Sequence, residues 1–274
     1  MQSLLLDYEK LQGNVEFFSL VSDYERLGVE CNFSDALSIL PQVAIAAGIS
    51  EYAATMLYYC CLTKKYRQLA LSIGVAEDVW LNTVMDLKYK LEECKAVHNE
   101  WGTFVGTWFP GFFKLERFAL GRLQFEIVPL GREYRSLQVM LSPETQVLNV
   151  HIPRSGERLT PEIVASSYEQ ARRFYQEVFS FEVTAFVCRS WLLFPMHKTM
   201  LSVESNLAKF VADYELLDSG EYENYTELWR LFDCKVSGGT LESLPNDSSL
   251  RRSYIELMKQ GKKSGWGHGI KLCK

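Results

Sequence analysis

The chain has 274 residues, 47% hydrophobic and 23% charged, with a formal net charge of -5. At about 150 residues per domain this length argues for two domains, and the apolar content is enough to offset chain entropy through most of the chain. A sequence pI of about 5.6 offers no basic excess, so counterion release cannot drive strong nucleic-acid binding.

The first residues, Met1-Gln2-Ser3-Leu4-Leu5-Leu6-Asp7, carry no positive region ahead of the leucines and do not read as a secretory signal. From there to about residue 100 the chain reads as helices. Ser34-Asp35 offers an N-cap to Ala36–Leu40. Ser50-Glu51 opens a second helix, with Ala54, Leu57, Tyr58 and Cys61 at helical spacing. The window Leu40–Leu62 is long enough to span a membrane. It contains Pro41, Gly48, Ser50 and, near its middle, Glu51, whose insertion costs roughly 2.5–3.5 kcal/mol. Two packed helices broken at Gly48-Ile49-Ser50 explain it better, and no membrane association is expected. Tyr66–Ile73 is expected as a short helix ended by Gly74, and Glu77 to about His98 as a longer one.

After Trp101-Gly102 the pattern changes. Phe112–Leu120 suggests a strand, Gly121-Arg122 a turn, and Leu123–Val128 alternates with period two, so the pair predicts a hairpin. Val147–Pro153 is the next strand, 154–159 a loop, and Thr160-Pro161-Glu162 a strong start for a helix reaching about Phe179. A strand over Val183–Leu192, a helix at Ser205–Val211, a strand at Tyr214–Leu217 and helices at Tyr225–Phe232 and Ser248–Lys259 follow. The glycine alternation at 261–272 predicts a bent edge strand or a loop. The fold class is therefore α+β: a helical N-terminal domain (1–105), then a mixed, mostly antiparallel sheet flanked by helices (106–274).

Seven cysteines without a Cys-x-x-Cys motif, and four scattered histidines, lack metal-ligand spacing, so no metal site is expected. Free thiols fit a reducing cytoplasm. The strand-loop-helix from Val147 to Phe179 holds the most suggestive chemistry. A helix N-terminus presents unpaired N–H groups, Gly156 allows close backbone approach, and Arg154 and Arg158 supply charge. This describes either a pyrophosphate cradle for a nucleotide-bearing cofactor or a solvated surface loop. His151 at the strand end and Glu126 on the preceding hairpin could accept a proton from an amine. Ser190, beside Trp191, reads as pocket lining, and Cys188 has no local feature that would lower its thiol pKa.

Three stretches carry a family resemblance: Leu120-Gly121-Arg122-Leu123-Gln124-Phe125-Glu126; His151-Ile152-Pro153 with Leu159-Thr160-Pro161-Glu162; and Ser190-Trp191-Leu192-Leu193 with Ser205-Asn206-Leu207. In this order they resemble a bacterial family of acyltransferase-domain-containing proteins, over roughly residues 60–270. Its members join a helical N-acyltransferase N-terminal domain to a GNAT-like C-terminal domain. The resemblance implies a histidine before Ser190-Trp191, where this chain has Arg189. It implies acetyl-CoA or another acyl-CoA as co-substrate, seated where the fourth and fifth strands splay, with its pyrophosphate at Arg154, Ser155, Gly156, Arg158 and Thr160. The family's usual Gly-rich phosphate loop is absent. The resulting expectation is N-acyl transfer in a monomer or homodimer. A small-molecule or peptide amine would attack directly, with Glu126 or His151 as base and Ser190 protonating the leaving thiolate. The alternative is a non-catalytic binding protein on the same scaffold.

Overall fold

The computed structural model describes residues 2–137, 139–236 and 241–273. The chain divides into two compact units, Met1–Ala119 and Leu120–Lys274.

The first unit is built from α1 (Gln2–Leu11), α2 (Val15–Leu27), α3 (Phe33–Ala47), α4 (Glu51–Ser72), α5 (Glu77–His98) and the single turn α6 (Pro110–Phe113). The break expected in the apolar window is present: Gly48 takes a left-handed conformation, Ser50 caps α4, and the two helices bend by 115°. Among the described residues no single helix is long and apolar enough to cross a membrane. Helix α3 starts at Phe33 because Asn32, rather than Ser34, accepts the cap hydrogen bond. The short helix expected at Tyr66–Ile73 is the last part of α4, which runs unbroken through Lys64-Lys65. Lysine is a good helix former, so a polar interruption of one turn is not a boundary. The unit's core is aromatic. Tyr24, Tyr59 and Tyr66 gather round Phe113 with ring centroids 5.1–5.8 Å apart, and the Tyr24 hydroxyl donates to the Phe113 carbonyl. That use of Phe113 explains why the strand expected from Phe112 begins only at Arg117.

The strands are β1 (Arg117–Leu120), β2 (Leu123–Pro129), β3 (Tyr134–Arg135), β4 (Met140–Leu141), β5 (Gln146–His151), β6 (Ala185–Ser190), β7 (Glu215–Glu221) and β8 (Gly265–Leu272). Helices α7 (Pro161–Phe179), α8 (His197–Met200), α9 (Asn206–Ala212), α10 (Trp229–Phe232) and α11 (Ser249–Lys259) lie between them in sequence. The main sheet has the order β1-β2-β5-β6-β8-β7, with β5 and β6 parallel and the pairs β2–β5, β6–β8 and β7–β8 antiparallel. Strand β8 is thus interior, where the sequence suggested an edge or a loop. The reason lies in its glycines. A Cβ at Gly267 would stand 2.2 Å from the Leu193 carbonyl oxygen, and one at Gly265 2.2 Å from that of Gly220. Bare backbone lets the turn after β6 lie directly on this strand.

Helix α7 covers one face of the second unit's sheet. Thr160 caps it, Pro161 is its first residue, and Tyr168, Phe174 and Tyr175 are buried beneath it. Tyr168 packs on Phe125 and Phe186, and the Tyr175 hydroxyl donates to the Phe125 carbonyl at 2.6 Å. At one end of the opposite face Val147, Ala185, Val187 and Ile270 pack with Leu130, Tyr134 and Leu141.

Candidate active site

Strand alternation sorts the side chains that matter onto two faces. Phe125, Val150, Phe186, Cys188 and Ser190 share the α7 face. Gln124, Glu126, Asn149, His151, Val187 and Arg189 point the other way, by the register Gln124↔His151, Glu126↔Asn149 and Asn149↔Val187.

That register joins two of the residues picked from sequence. His151 Nε2 lies 2.7 Å from Glu126 Oε1, and Asn149 Nδ2 lies 3.0 Å from the same oxygen and 3.1 Å from Nε2. A carboxylate and an amide nitrogen cannot both satisfy a lone pair on Nε2. The consistent arrangement has Nε2–H donating to Glu126, Asn149 donating to Glu126, and the ring's basic lone pair on Nδ1. This is the geometry of a carboxylate–imidazole pair, with the carboxylate also bonded to Asn149. Both side chains are largely buried, 19% and 16% exposed, which strengthens their mutual field without sealing them from a substrate. Asn149 went unnoticed in the sequence because its role depends on lying directly opposite Glu126.

Ser190 is not joined to this pair. It lies at the end of β6 on the α7 face, where its hydroxyl oxygen accepts from Leu192 N–H at 3.2 Å and caps the turn Trp191–Leu193. Cys188 is fully buried, and burial pushes its thiol up to about 12, so it is no nucleophile.

Between β5 and β6 the pairing is short. It comprises Leu148↔Phe186 and Asn149↔Val187 and then stops. Yet β5 stays paired to β2 as far as His151, and β6 to β8 as far as Ser190. The ladder is therefore broken at the carboxyl ends of two adjacent parallel strands, with the Glu126–His151 pair at its margin.

The five cradle residues share one segment but are differently engaged. Arg154 Nη2 pairs with Asp233 at 2.8 Å, and Asp233 also holds Arg251. Ser155 Oγ accepts from Glu157 N–H, while Gly156 sits at φ +80 with open space on its Cβ side. Arg158 is exposed, and Thr160 Oγ1 accepts from Ile163 N–H as helix cap. Hydrogen bonds from its own main chain and from Thr160, helped by Lys209, hold the exposed Glu162 carboxyl below its usual range. Negative charge is thus favoured at this helix start. The loop's real organiser is Arg122. Nearly buried, it donates from Nε to the Glu157 carbonyl at 2.8 Å and from Nη1 to the Pro153 carbonyl at 2.7 Å. Sequence reading placed it in the hairpin turn and in the first resemblance stretch without giving it a role. Next to it, Gly121 at φ +65 lies so close to α7 that a Cβ would come within 2.7 Å of Ser167 Oγ.

Along α7 runs an open cavity of about 630 Å³ whose walls include Pro161, Val164 and Tyr168, with Lys209 and Phe210 of α9 and Lys271 of β8. It extends from the start of α7 to Phe186, on the face opposite the Glu126–His151 pair. Lys271 is partly engaged with Asp213 at 3.4 Å. Among the described residues no cluster of His, Cys, Asp and Glu could hold a metal ion.

A family model described as the GNAT-like C-terminal domain matches residues 117–271, more than half of the chain. The chain belongs to this family. The parallel β5–β6 pair and the helix α7 that follows β5 are thus parts of a GNAT-like domain. Solved structures agree on the fold. One is the crystal structure of an acyltransferase in complex with decanoyl-CoA and teicoplanin, 22% identical with a TM-score of 0.69, covering 81% of this chain and 68% of that one. Another, an acyltransferase in complex with decanoyl-CoA, is 24% identical with a TM-score of 0.68 over 81% and 67%. A mutant acyltransferase in complex with octanoyl-CoA is 22% identical with a TM-score of 0.69 over 81% and 68%. No curated protein matches the chain.

Proposed function

We propose that this chain is an acyl-CoA-dependent N-acyltransferase acting on a small-molecule or peptide amine. The observation that carries the reading is the broken ladder between β5 and β6, with a carboxylate–imidazole pair on one face and, on the other, a cavity along α7 lined by apolar side chains and by charges of both signs. The solved acyltransferases of the same fold were crystallised with decanoyl-CoA and octanoyl-CoA, which supports an acyl-CoA donor of medium chain length.

The α7 cavity, about 630 Å³, is in the size range of a ligand site and suits the nucleotide end, where phosphate would compete with Glu204 for Lys209 and with Asp213 for Lys271. Arg158, Gly156 and the start of α7 add positive field and open backbone, whereas Arg154 reaches phosphate only by leaving Asp233. The pantetheine arm would pass through the break, bringing the thioester to the face of His151. There the amine nitrogen attacks the thioester carbon, the new C–N bond forms and the C–S bond breaks. His151, oriented by Glu126, takes the amine proton, and the Glu126 carboxylate stabilises the resulting imidazolium. Main-chain N–H groups at the break would polarise the carbonyl. The departing thiolate takes a proton from solvent, because Ser190 lies on the α7 face and a serine hydroxyl is a weaker acid than the thiol it would form.

Calorimetric titration with CoA thioesters from acetyl to decanoyl tests the donor reading, and micromolar affinity is expected for at least one of them. Binding of none by folded protein refutes it. Glu162 on the helix start and Arg154 on Asp233 favour a second reading, a binding protein without turnover. That reading requires donor binding with no acyl transfer to any amine, unchanged by E126Q or H151N.

A further inference from the structure

Across the break from the Glu126–His151 pair stands a group that the acyl-transfer reading does not use. In the parallel register Asn149 faces Val187, so two residues on, and on the same side of the sheet, His151 is level with Arg189. Arg189 is exposed, and its guanidinium carbon lies 3.8 Å from the Trp266 ring centroid. Stacking of this kind holds the planar fork in place and leaves its N–H edge for a partner. Among the described residues no carboxylate lies within 4 Å of this guanidinium. His268, directly opposite Arg189 on β8, completes the patch. Burial and the nearby Arg132 and Arg189 hold its pKa below the ordinary value, against the opposing pull of Asp218. The patch therefore carries fixed positive charge across the break from the Glu126–His151 pair, with Asp218 at its rim.

Resting on the acyl-transfer reading, we infer that Arg189, braced by Trp266, binds a carboxylate of the acceptor, so that the substrate amine carries an acid group a few bonds away. Trp266 belongs to β8, on the side of β6 away from β5, so the stacked guanidinium stands about two strand spacings, roughly 10 Å, from the strand of His151, and a hydrogen bond of about 3 Å at each end leaves about 4 Å between amine and carboxylate. An amine at His151 and a carboxylate at Arg189 thus fit one amino acid or the carboxyl-terminal residue of a short peptide. A guanidinium fork matches a carboxylate bidentately, a pairing that an uncharged amide cannot replace.

The test uses the full chain saturated with whichever CoA thioester binds. Thiol release and calorimetric affinity are measured for the twenty common L-amino acids, β-alanine and 4-aminobutyrate, each beside its carboxamide. At least one carboxylate should exceed its carboxamide by about 10- to 100-fold in kcat/KM or affinity. R189M should erase that preference through KM, with R189K intermediate because it keeps charge and loses the fork. W266L should weaken the preference without abolishing it. Failure to find any acid preferred over its amide, whether both react or neither does, overturns the inference. So does a preference that survives R189M. Failure of every CoA thioester to bind instead refutes the acyl-transfer reading, and the two failures are thereby distinct.

Discussion

Replacing Arg122 with methionine keeps most of the aliphatic stem and deletes the guanidinium that ties the loop after β5 to the turn before β2. Two charge-assisted hydrogen bonds, at 2.7 and 2.8 Å to the carbonyls of Pro153 and Glu157, are lost together. Hydrogen bonds from charged groups contribute about 1.5–3 kcal/mol each. Arg122 is only 7% exposed, but the loop it holds is at the surface, so water regains part of the difference. The expected cost is about 3 kcal/mol, nearer the lower bound for the two bonds. With a urea slope of about 1–3 kcal/mol per molar, the midpoint should fall by at least 1 M. Hydrogen exchange resolved by peptide adds the local readout: 153–158 should lose protection more than 123–129, and R122K should recover part of it. If R122M costs less than about 1 kcal/mol and leaves the loop's exchange unchanged, the loop does not depend on this guanidinium.

Three further outcomes follow from the same geometry. Gly267→Ala places a Cβ 2.2 Å from the Leu193 carbonyl oxygen, a contact that backbone cannot easily relieve. It should cost about 3 kcal/mol, whereas Gly156→Ala meets open space and bears only left-handed strain of about 1–2 kcal/mol. Equal melting temperatures would refute this. His197, fully buried between the Leu192 carbonyl and the Tyr254 hydroxyl, is held below the ordinary histidine pKa by burial. The unfolded chain therefore binds a proton below about pH 6.5 that the folded chain refuses, and stability falls as pH drops from there toward the folded value. The slope reaches at most about 1.4 kcal/mol per pH unit. H197N, though destabilising, should lose that part of the slope, and an unchanged slope refutes the assignment. E126Q and H151N should each lower turnover by about 10²–10⁴ while donor affinity changes by less than threefold. Near-additive losses in the double variant would show that the two do not act as one unit.

Much of the fold was legible because local chemistry and tertiary packing agree. Thr160-Pro161 starts α7 and Ser50 starts α4 as their cap chemistry demands. Glu77 and His98 bound α5 as its periodicity indicates. Legibility ended where one residue type serves two opposite structures. The glycines of β8 read as a loop or an edge because their missing Cβ atoms weaken a strand locally. In the folded chain the same lack admits the Leu193 main chain and makes the strand interior. The aromatic run from Phe112 read as a strand because nothing in the local pattern shows that Phe113 fills the helical core.

The site shows a similar division. Glu126 and His151 could be chosen one by one as a carboxylate and an imidazole near a strand end. Their 2.7 Å contact depends on the antiparallel register of β2 against β5, which also recruits Asn149. Arg189 and Trp266, far apart in sequence, stack because Ser190 pairs with Gly267 and Arg189 with His268, which puts residue 266 beside residue 189. A one-residue slip in either pairing would turn these side chains to the α7 face, where Phe125, Tyr168 and Phe186 pack on one another. The apolar packing that fixes register therefore also places the polar groups. The polar residues cluster at the carboxyl ends of β5 and β6, where the ladder between these strands has already ended and water or substrate can reach them.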